Sequence, residues 1–135
     1  AAQGGAIGTL GVAGLLGVSA HVLMPKTTPA FNVRLTQAGG ADVELCEDAA
    51  EAFAKAEAYA AQGRVFVHPY DDPAIIAGHG TLGLELLEAV EDLSHVFLSI
   101  GGGGFAAGVA AALKARKPGL AVIGVETTGA QTMTK

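Results

Sequence analysis

Short apolar runs alternate along this chain with Ala-rich stretches whose apolar residues recur at helical spacing. His21-Val22-Leu23-Met24 reads as a strand, stopped by Pro25. Pro29 opens a short helix to about Ala38, because its fixed φ suits a first turn, and Gly39-Gly40 end it. Asp42 to Cys46 reads as a second strand. Asp48 caps a helix to about Ala61, with Ala49, Ala52, Phe53, Ala56 and Ala60 at helical spacing. Gly63 closes it, and Arg64 to Val67 reads as another strand. Asp71-Asp72-Pro73 caps the next helical region, which holds Leu82, Leu86, Leu87 and Val90 on one side. A strand over 96–100, four consecutive glycines, a helix over 105–115, a turn at Lys117-Pro118-Gly119 and a strand over 120–125 complete the pattern. Between Gly5 and Leu16 a helix is diluted by glycines, each costing about 1 kcal/mol against Ala.

Repeated βα units with near-continuous apolar strands predict an α/β fold of mostly parallel sheets with flanking helices. The sharpest break is His68-Pro69-Tyr70-Asp71-Asp72-Pro73, whose two prolines and two acids mark a crossover between two lobes. That divides the chain into residues 1–69 and 70–135. No internal repeat or low-complexity linker interrupts the pattern.

At 135 residues the chain is one domain or pieces of two. Half of its residues are hydrophobic, enough for a packed core. Eight basic and 13 acidic residues give a net charge of −5, and no Lys/Arg cluster stands out, which argues against a nucleic-acid surface. The single cysteine, Cys46, rules out a disulfide within the chain and reads as a buried spectator. The opening residues lack the basic stretch of a secretory signal, and no apolar run reaches membrane-spanning length. The expected compartment is the cytoplasm. No His/Cys cluster has zinc spacing.

Gly101 to Gly104 carry the chemistry. They stand between the strand Val96-Phe97-Leu98-Ser99-Ile100 and a helix that starts near Phe105. Backbone N–H groups without neighbouring Cβ atoms approach an anion closely, and a helix N-terminus favours negative charge. A phosphate is the expected ligand. Gly102-x-Gly104-x-x-Ala107 also satisfies the dinucleotide fingerprint G-x-G-x-x-G/A, with Glu126 at the end of the next strand as a partner for a ribose hydroxyl. Local chemistry points to a phosphate without saying whose.

The remaining motifs carry a resemblance. His68-Pro69-Tyr70-Asp71-Asp72-Pro73-Ala74-Ile75-Ile76-Ala77-Gly78-His79-Gly80-Thr81-Leu82-Gly83-Leu84-Glu85 resembles the HP-(F/Y)-DDP-x-(I/V)-IAGQGT-(I/L)-G-x-E signature of threonine/serine dehydratases, with serine racemase a close relative. Met24-Pro25-Lys26-Thr27-Thr28-Pro29 resembles that family's MP-x-x-(T/A)-P segment. Ser99-Ile100 with the four glycines and Ala107-Gly108 resembles its GGGG-x-x-(A/S)-G loop, and Ile123-Gly124-Val125-Glu126 its (I/V)-GVE strand. The resemblance runs from about residue 17 to 130. It implies the fold type II, tryptophan-synthase-β-like architecture, with residues 1–69 part of the small lobe and 70–135 part of the large lobe. It implies pyridoxal phosphate as cofactor, held between the lobes with its phosphate on Gly101, Gly102, Gly103 and Gly104. It further implies a lyase that eliminates water from a small hydroxy amino acid, threonine or serine, giving a 2-oxo acid and ammonia. Family members are commonly homo-oligomers.

The chain also departs from that family. The lysine that binds the cofactor covalently belongs to an S-F-K-x-R-G-type segment, and none of Lys26, Lys55, Lys114, Lys117 and Lys135 occupies its place. No catalytic residue is therefore assigned, and the chain reads as an internal slice of a full enzyme, inactive by itself. The other readings are a non-catalytic module for pyridoxal phosphate or a dinucleotide, and a decayed fragment. The family's substrate-carboxylate loop, S-x-G-N-H-(A/G)-Q-G, corresponds to the start of this chain. Gly5 replaces its Asn and Ala6 its His, which leaves the backbone of Gln3, Gly4 and Gly5 to receive a carboxylate. His79 replaces the family's usual Gln. Glu126 and the Ala130 carbonyl match two ligands of a divalent-cation site found in some relatives, while Thr132 stands where serine racemase has an Asp. Hard cations want several oxygen ligands, preferably charged.

Overall fold

The computed structural model describes residues 13–134. Residues 13–16 are helical and end in a turn at Gly17, and the earlier part of the helix expected from Gly5 lies outside the described residues. The chain falls into two compact units divided between Phe66 and Val67.

The first unit contains strand β1 (His21–Pro25), helix α1 (Ala30–Ala38), strand β2 (Asp42–Cys46) and helix α2 (Ala49–Ala61). The strands pair in parallel, His21 opposite Asp42 through Pro25 opposite Cys46. Pro25 ends β1 from inside the strand, and the next N–H, that of Lys26, donates to the Cys46 carbonyl at 2.7 Å. Asp48 starts α2 by accepting from the Glu51 N–H at 2.9 Å, while Glu51 Oε2 accepts from the Glu47 N–H at 2.5 Å. The first bond satisfies a donor that the first turn would leave unpaired, and the second ties the residue before the cap to that turn. At the other end Gly63 takes φ 94°, a left-handed conformation that glycine adopts without strain. The Gly63 N–H then reaches the Ala60 carbonyl and the Arg64 N–H reaches that of Tyr59, which closes the helix in a Schellman motif. Met24, Ala41, Cys46 and Ala56 are buried, and so is Thr36.

Arg64 to Val67 corrects the expectation of a strand. Among the described residues the sheets are β1–β2 and β3–β4, and this run joins neither. An apolar run becomes a strand only where a neighbouring edge takes up its N–H and C=O groups. Here the Arg64 N–H goes to Tyr59, the Arg64 guanidinium lies over the Tyr59 ring, and Phe66 packs edge-on against Phe53. Val65 is left 90% exposed.

The second unit contains helix α3 (Pro73–Ala89), strand β3 (His95–Ser99), helix α4 (Gly104–Arg116) and strand β4 (Ala121–Val125). Its strands also pair in parallel, His95 opposite Ala121 through Ser99 opposite Val125. Asp72 caps α3 by accepting from the N–H groups of Ala74 at 2.7 Å and Ile75 at 3.2 Å, with Pro73 in the first turn. Val96, Leu98, Val109, Leu113 and Leu120 form the core, and Leu86, Leu87, Leu93, Phe105 and Val122 pack around it. The contact face of α3 differs from the one its leucines suggest. Gly80 and Gly83 are its buried residues, whereas Leu82 and Val90 are exposed. A Cβ on Gly83 would lie 2.9 Å from the Val109 carbonyl oxygen, and one on Gly108 would lie 2.1 Å from that of Ile76. The two helices thus cross backbone against backbone, which explains why α3 tolerates glycines that weaken it as a helix. One face of β3–β4 covers the core. The other presents Phe97, Ile123 and Val125 outward.

Candidate functional site

Strand β3 delivers the chain to the glycine loop, and the Ile100 N–H still bonds to the Val125 carbonyl at 2.9 Å. Gly103 is the residue that caps α4, at φ 90° and ψ −26°. Only glycine takes that left-handed turn cheaply, so the loop enters the helix through a conformation a side chain would strain. Gly104 is buried, and a Cβ there would lie 2.1 Å from the Tyr70 carbonyl oxygen. A Cβ on Gly102 would lie 2.2 Å from Tyr70 Cγ. The loop therefore rests directly on Tyr70.

Tyr70 is itself held. The His68 ring stands edge-on to it at 4.8 Å, and His68 Nδ1 accepts from the Asp71 N–H at 2.8 Å. Two residues later Asp72 caps α3. The His68–Pro73 segment is thus the platform under the loop. Among the described residues, no hydrogen bond uses the N–H groups of Gly102, Gly103 or Gly104 as donors. The site is a row of bare N–H donors at a helix N-terminus, on a loop packed too closely against Tyr70 and Met133 to admit a Cβ at Gly102, Gly103 or Gly104. That donor set fits a phosphate group, and so fits pyridoxal phosphate through its phosphate end.

Glu126 follows β4 and faces the turn over residues 132–134. Its Oε1 accepts from the Thr132 N–H at 2.6 Å, the Thr132 hydroxyl at 2.8 Å and the Met133 N–H at 2.9 Å. Its Oε2 accepts from the Thr134 N–H at 2.9 Å and the Thr134 hydroxyl at 2.7 Å. Donation from the Thr132 N–H, then from the Thr134 hydroxyl and the Met133 N–H, holds this carboxyl well below the usual carboxylate range. The Ala130 N–H donates to the Thr127 carbonyl at 3.0 Å. Among the described residues, no group of three or more His, Cys, Asp or Glu gathers where a metal ion would sit. N–H and O–H donors occupy both Glu126 oxygens, so the pair Glu126 and Ala130 does not fit a divalent cation in this arrangement.

A pH dependence follows from Glu126. Its folded pKa is depressed, so its contribution is fully present above the unfolded value of about 4.3 and disappears as the pH falls through the lower folded value. The amide resonances of Thr132 and Thr134 should hold steady from neutral pH through the ordinary carboxylate range and move only below it. Glu126→Gln should abolish that acid transition. A midpoint at or above the ordinary carboxylate value would contradict the arrangement.

Gln3, Gly4 and Gly5, expected to meet a substrate carboxylate, lie outside the described residues. His79 stands edge-on to Phe105 at 5.5 Å, a packing role between α3 and α4. In the first unit His21 Nε2 lies 3.3 Å from Glu44, whose carboxylate also accepts from Lys55 at 2.7 Å and the Tyr59 hydroxyl at 2.8 Å. The bond from Lys55, then that from Tyr59, lowers the Glu44 pKa. Donating to Glu44 raises that of Tyr59. Lys26 pairs with Glu47, and Lys114 donates to the Pro118 carbonyl. Burial pushes the Cys46 thiol up, away from nucleophilic character. No helix among the described residues is long and apolar enough to cross a membrane. Sequence reasoning did not find Tyr70 as the floor of the loop or Thr132 at its side. Tyr70 lies inside the His68–Pro73 motif, but its contact with the glycines is a tertiary fact.

Known proteins place this geometry. Residues 5–135 match the family described as pyridoxal-phosphate dependent enzyme. The L-threonine ammonia-lyase of Geobacter sulfurreducens is 45% identical over 120 residues, which cover 87% of this chain and 30% of that protein. The catabolic L-threonine dehydratase TdcB of Escherichia coli is 42% identical over 121 residues, 88% of this chain and 37% of that one. The solved structure of the processed form of threonine deaminase isoform 2 from Solanum lycopersicum matches with a TM-score of 0.85 at 37% identity, over 96% of this chain and 38% of that chain. This chain spans about a third of the length of these relatives. The α/β architecture with parallel strands, expected as fold type II, is the one found. Family and neighbours imply pyridoxal phosphate as the cofactor. The chain belongs to the pyridoxal-phosphate dependent enzyme family.

Proposed function

We propose that this chain is the phosphate-gripping part of a pyridoxal-phosphate dependent L-threonine or L-serine ammonia-lyase. The observation that carries the reading is the glycine loop, which packs closely against Tyr70 and enters α4 with the N–H groups of Gly102, Gly103 and Gly104 making no hydrogen bond among the described residues. The likeness to L-threonine ammonia-lyase and L-threonine dehydratase supplies the reaction class. Residues 1–69 belong on this reading to the small lobe and residues 70–135 to the large lobe. When bound, the cofactor supplies an electron sink for elimination from a hydroxy amino acid, releasing a 2-oxo acid and ammonia.

The role of this chain's own residues is to bind and orient. Gly101 to Gly104 neutralise the phosphate with N–H dipoles and with the positive end of α4. The backbone of Gln3, Gly4 and Gly5 receives the substrate carboxylate. None of the five lysines stands at the family's covalent attachment position, so residues 1–135 by themselves bind cofactor reversibly and turn over no threonine.

The test is a titration of the chain with pyridoxal phosphate and with NAD side by side, followed by amide NMR. Saturable pyridoxal phosphate binding that shifts the Gly101–Gly104 amides, with no covalent adduct after borohydride treatment, is the expected result. Preference for NAD, or binding that leaves those amides unmoved, would overturn the reading.

A further inference from the structure

We propose that Thr132 is a positioning residue for the glycine loop, and that Glu126 holds it in place without a divalent cation. The proposal rests on the reading that Gly101 to Gly104 grip a phosphate. Four glycines in succession are the freest backbone a chain can have, and aligning their N–H groups costs the most conformational entropy. Something must hold them. One wall is Tyr70, which backs Gly102 and Gly104. The other wall is the turn over residues 132–134.

The Thr132 hydroxyl lies 2.7 Å from the Gly101 carbonyl oxygen and 2.8 Å from Glu126 Oε1, so one proton bridges two acceptors. The Thr132 N–H makes a separate bond to the same carboxylate at 2.6 Å. Next along the chain, Met133 Cε sits where a Cβ on Gly103 would meet it at 2.7 Å. Glu126 follows β4 directly, and β4 is paired with β3, the strand that feeds the loop. The contacts therefore close a ring: β3, Gly101, Thr132, Glu126, β4 and back to β3. A loop closed at both ends samples fewer conformations, which favours a ligand that needs its donors aligned.

A cation does not suit this arrangement. Five donor contacts from residues 132–134 converge on the two Glu126 oxygens, and their hydrogens carry partial positive charge where an ion would have to sit. Thr132 adds a neutral hydroxyl where a hard cation prefers a charged oxygen. The turn supplies from within the chain the positive character that an ion would bring.

The experiment compares the full chain with Thr132→Val, Thr132→Ser and Glu126→Gln. Two quantities are read: the ¹⁵N order parameters of Gly101–Gly104 without ligand, and the dissociation constant for pyridoxal phosphate with added EDTA or Mg²⁺. Thr132→Val should loosen the unliganded loop and weaken pyridoxal phosphate about fivefold, the equivalent of one net hydrogen bond. Thr132→Ser keeps the hydroxyl and should restore both values, which a purely structural effect of the substitution would not do. Glu126→Gln should loosen the loop as well. EDTA and Mg²⁺ should leave the wild-type affinity unchanged. Unaltered order parameters in Thr132→Val would overturn the strut, and an affinity that falls with EDTA and returns with Mg²⁺ would overturn the cation-free arrangement. Absence of pyridoxal phosphate binding to the wild type would overturn the phosphate reading, and the order parameters of the unliganded loop would still decide the strut.

Discussion

Gly108→Ala is expected to destabilise the second unit by about 2 kcal/mol, the cost of overpacking less the gain in helix propensity. The added methyl would meet the Ile76 carbonyl oxygen at 2.1 Å, His79 Cβ at 2.9 Å and the Gly80 N at 3.1 Å. Two of those atoms are backbone, and the third is a Cβ fixed by it. No rotamer change relieves the overlap, so α3 and α4 must separate. In a unit of this size the unfolding midpoint should fall by roughly 10 °C. Gly78→Ala is the control on α3, because nothing lies within 4 Å of its Cβ position. There the helix should gain about 1 kcal/mol. Thermal denaturation of the two variants decides it: a Gly108→Ala chain that melts at or above the wild type would rule out the backbone-to-backbone crossing.

Gly104→Ala should cost the loop its ligand. Its Cβ would lie 2.1 Å from the Tyr70 carbonyl oxygen, 2.8 Å from that carbonyl carbon and 2.9 Å from Tyr70 Cα. All three are backbone atoms in the segment that leads into the Asp72 cap, so the loop must lift off its platform. Pyridoxal phosphate affinity should fall at least about tenfold, while α4 gains slightly as a helix. Gly102→Ala should be milder, because its two shortest contacts are to Cγ and Cδ1 of the Tyr70 ring, at 2.2 and 2.4 Å, and only the longer one, to Tyr70 Cβ at 2.8 Å, is fixed by the backbone. A side chain can turn away at a cost of about 1 kcal/mol for an off-rotamer angle. Equal losses in the two variants would mean that the loop does not rest on the Tyr70 backbone.

The local signals were legible because each is decided within a few residues. Asp48 and Asp72 start α2 and α3 through side-chain bonds reaching two or three positions ahead, and Gly63 ends α2 by its own φ. The phosphate loop was legible for the same reason, since strand, glycines and helix are contiguous. The errors fall where the deciding partner is distant. Arg64 to Val67 has the composition of a strand, but whether a ladder forms depends on which edge lies alongside. The apolar side of α3 reads from its leucines, yet the helix packs through Gly80 and Gly83, because α4 brings Gly108 and Ala112 close enough to exclude larger residues. The pairing of Gly101 with Thr132 spans 31 positions and leaves no periodic trace.

The sequence by itself determined the α/β pattern of parallel strands, the two helix caps, the glycine loop and the membership in a pyridoxal-phosphate family. Each depends on short-range conformational preference or on a contiguous motif. Only the tertiary structure decided that Tyr70 is the floor of the loop, that Thr132 and Glu126 stand at its side, and that glycines rather than leucines join α3 to α4. Those facts are distances between segments far apart in the chain. They arise when burial of Val96, Leu98, Val109, Leu113 and Leu120 brings β3, β4 and α4 together.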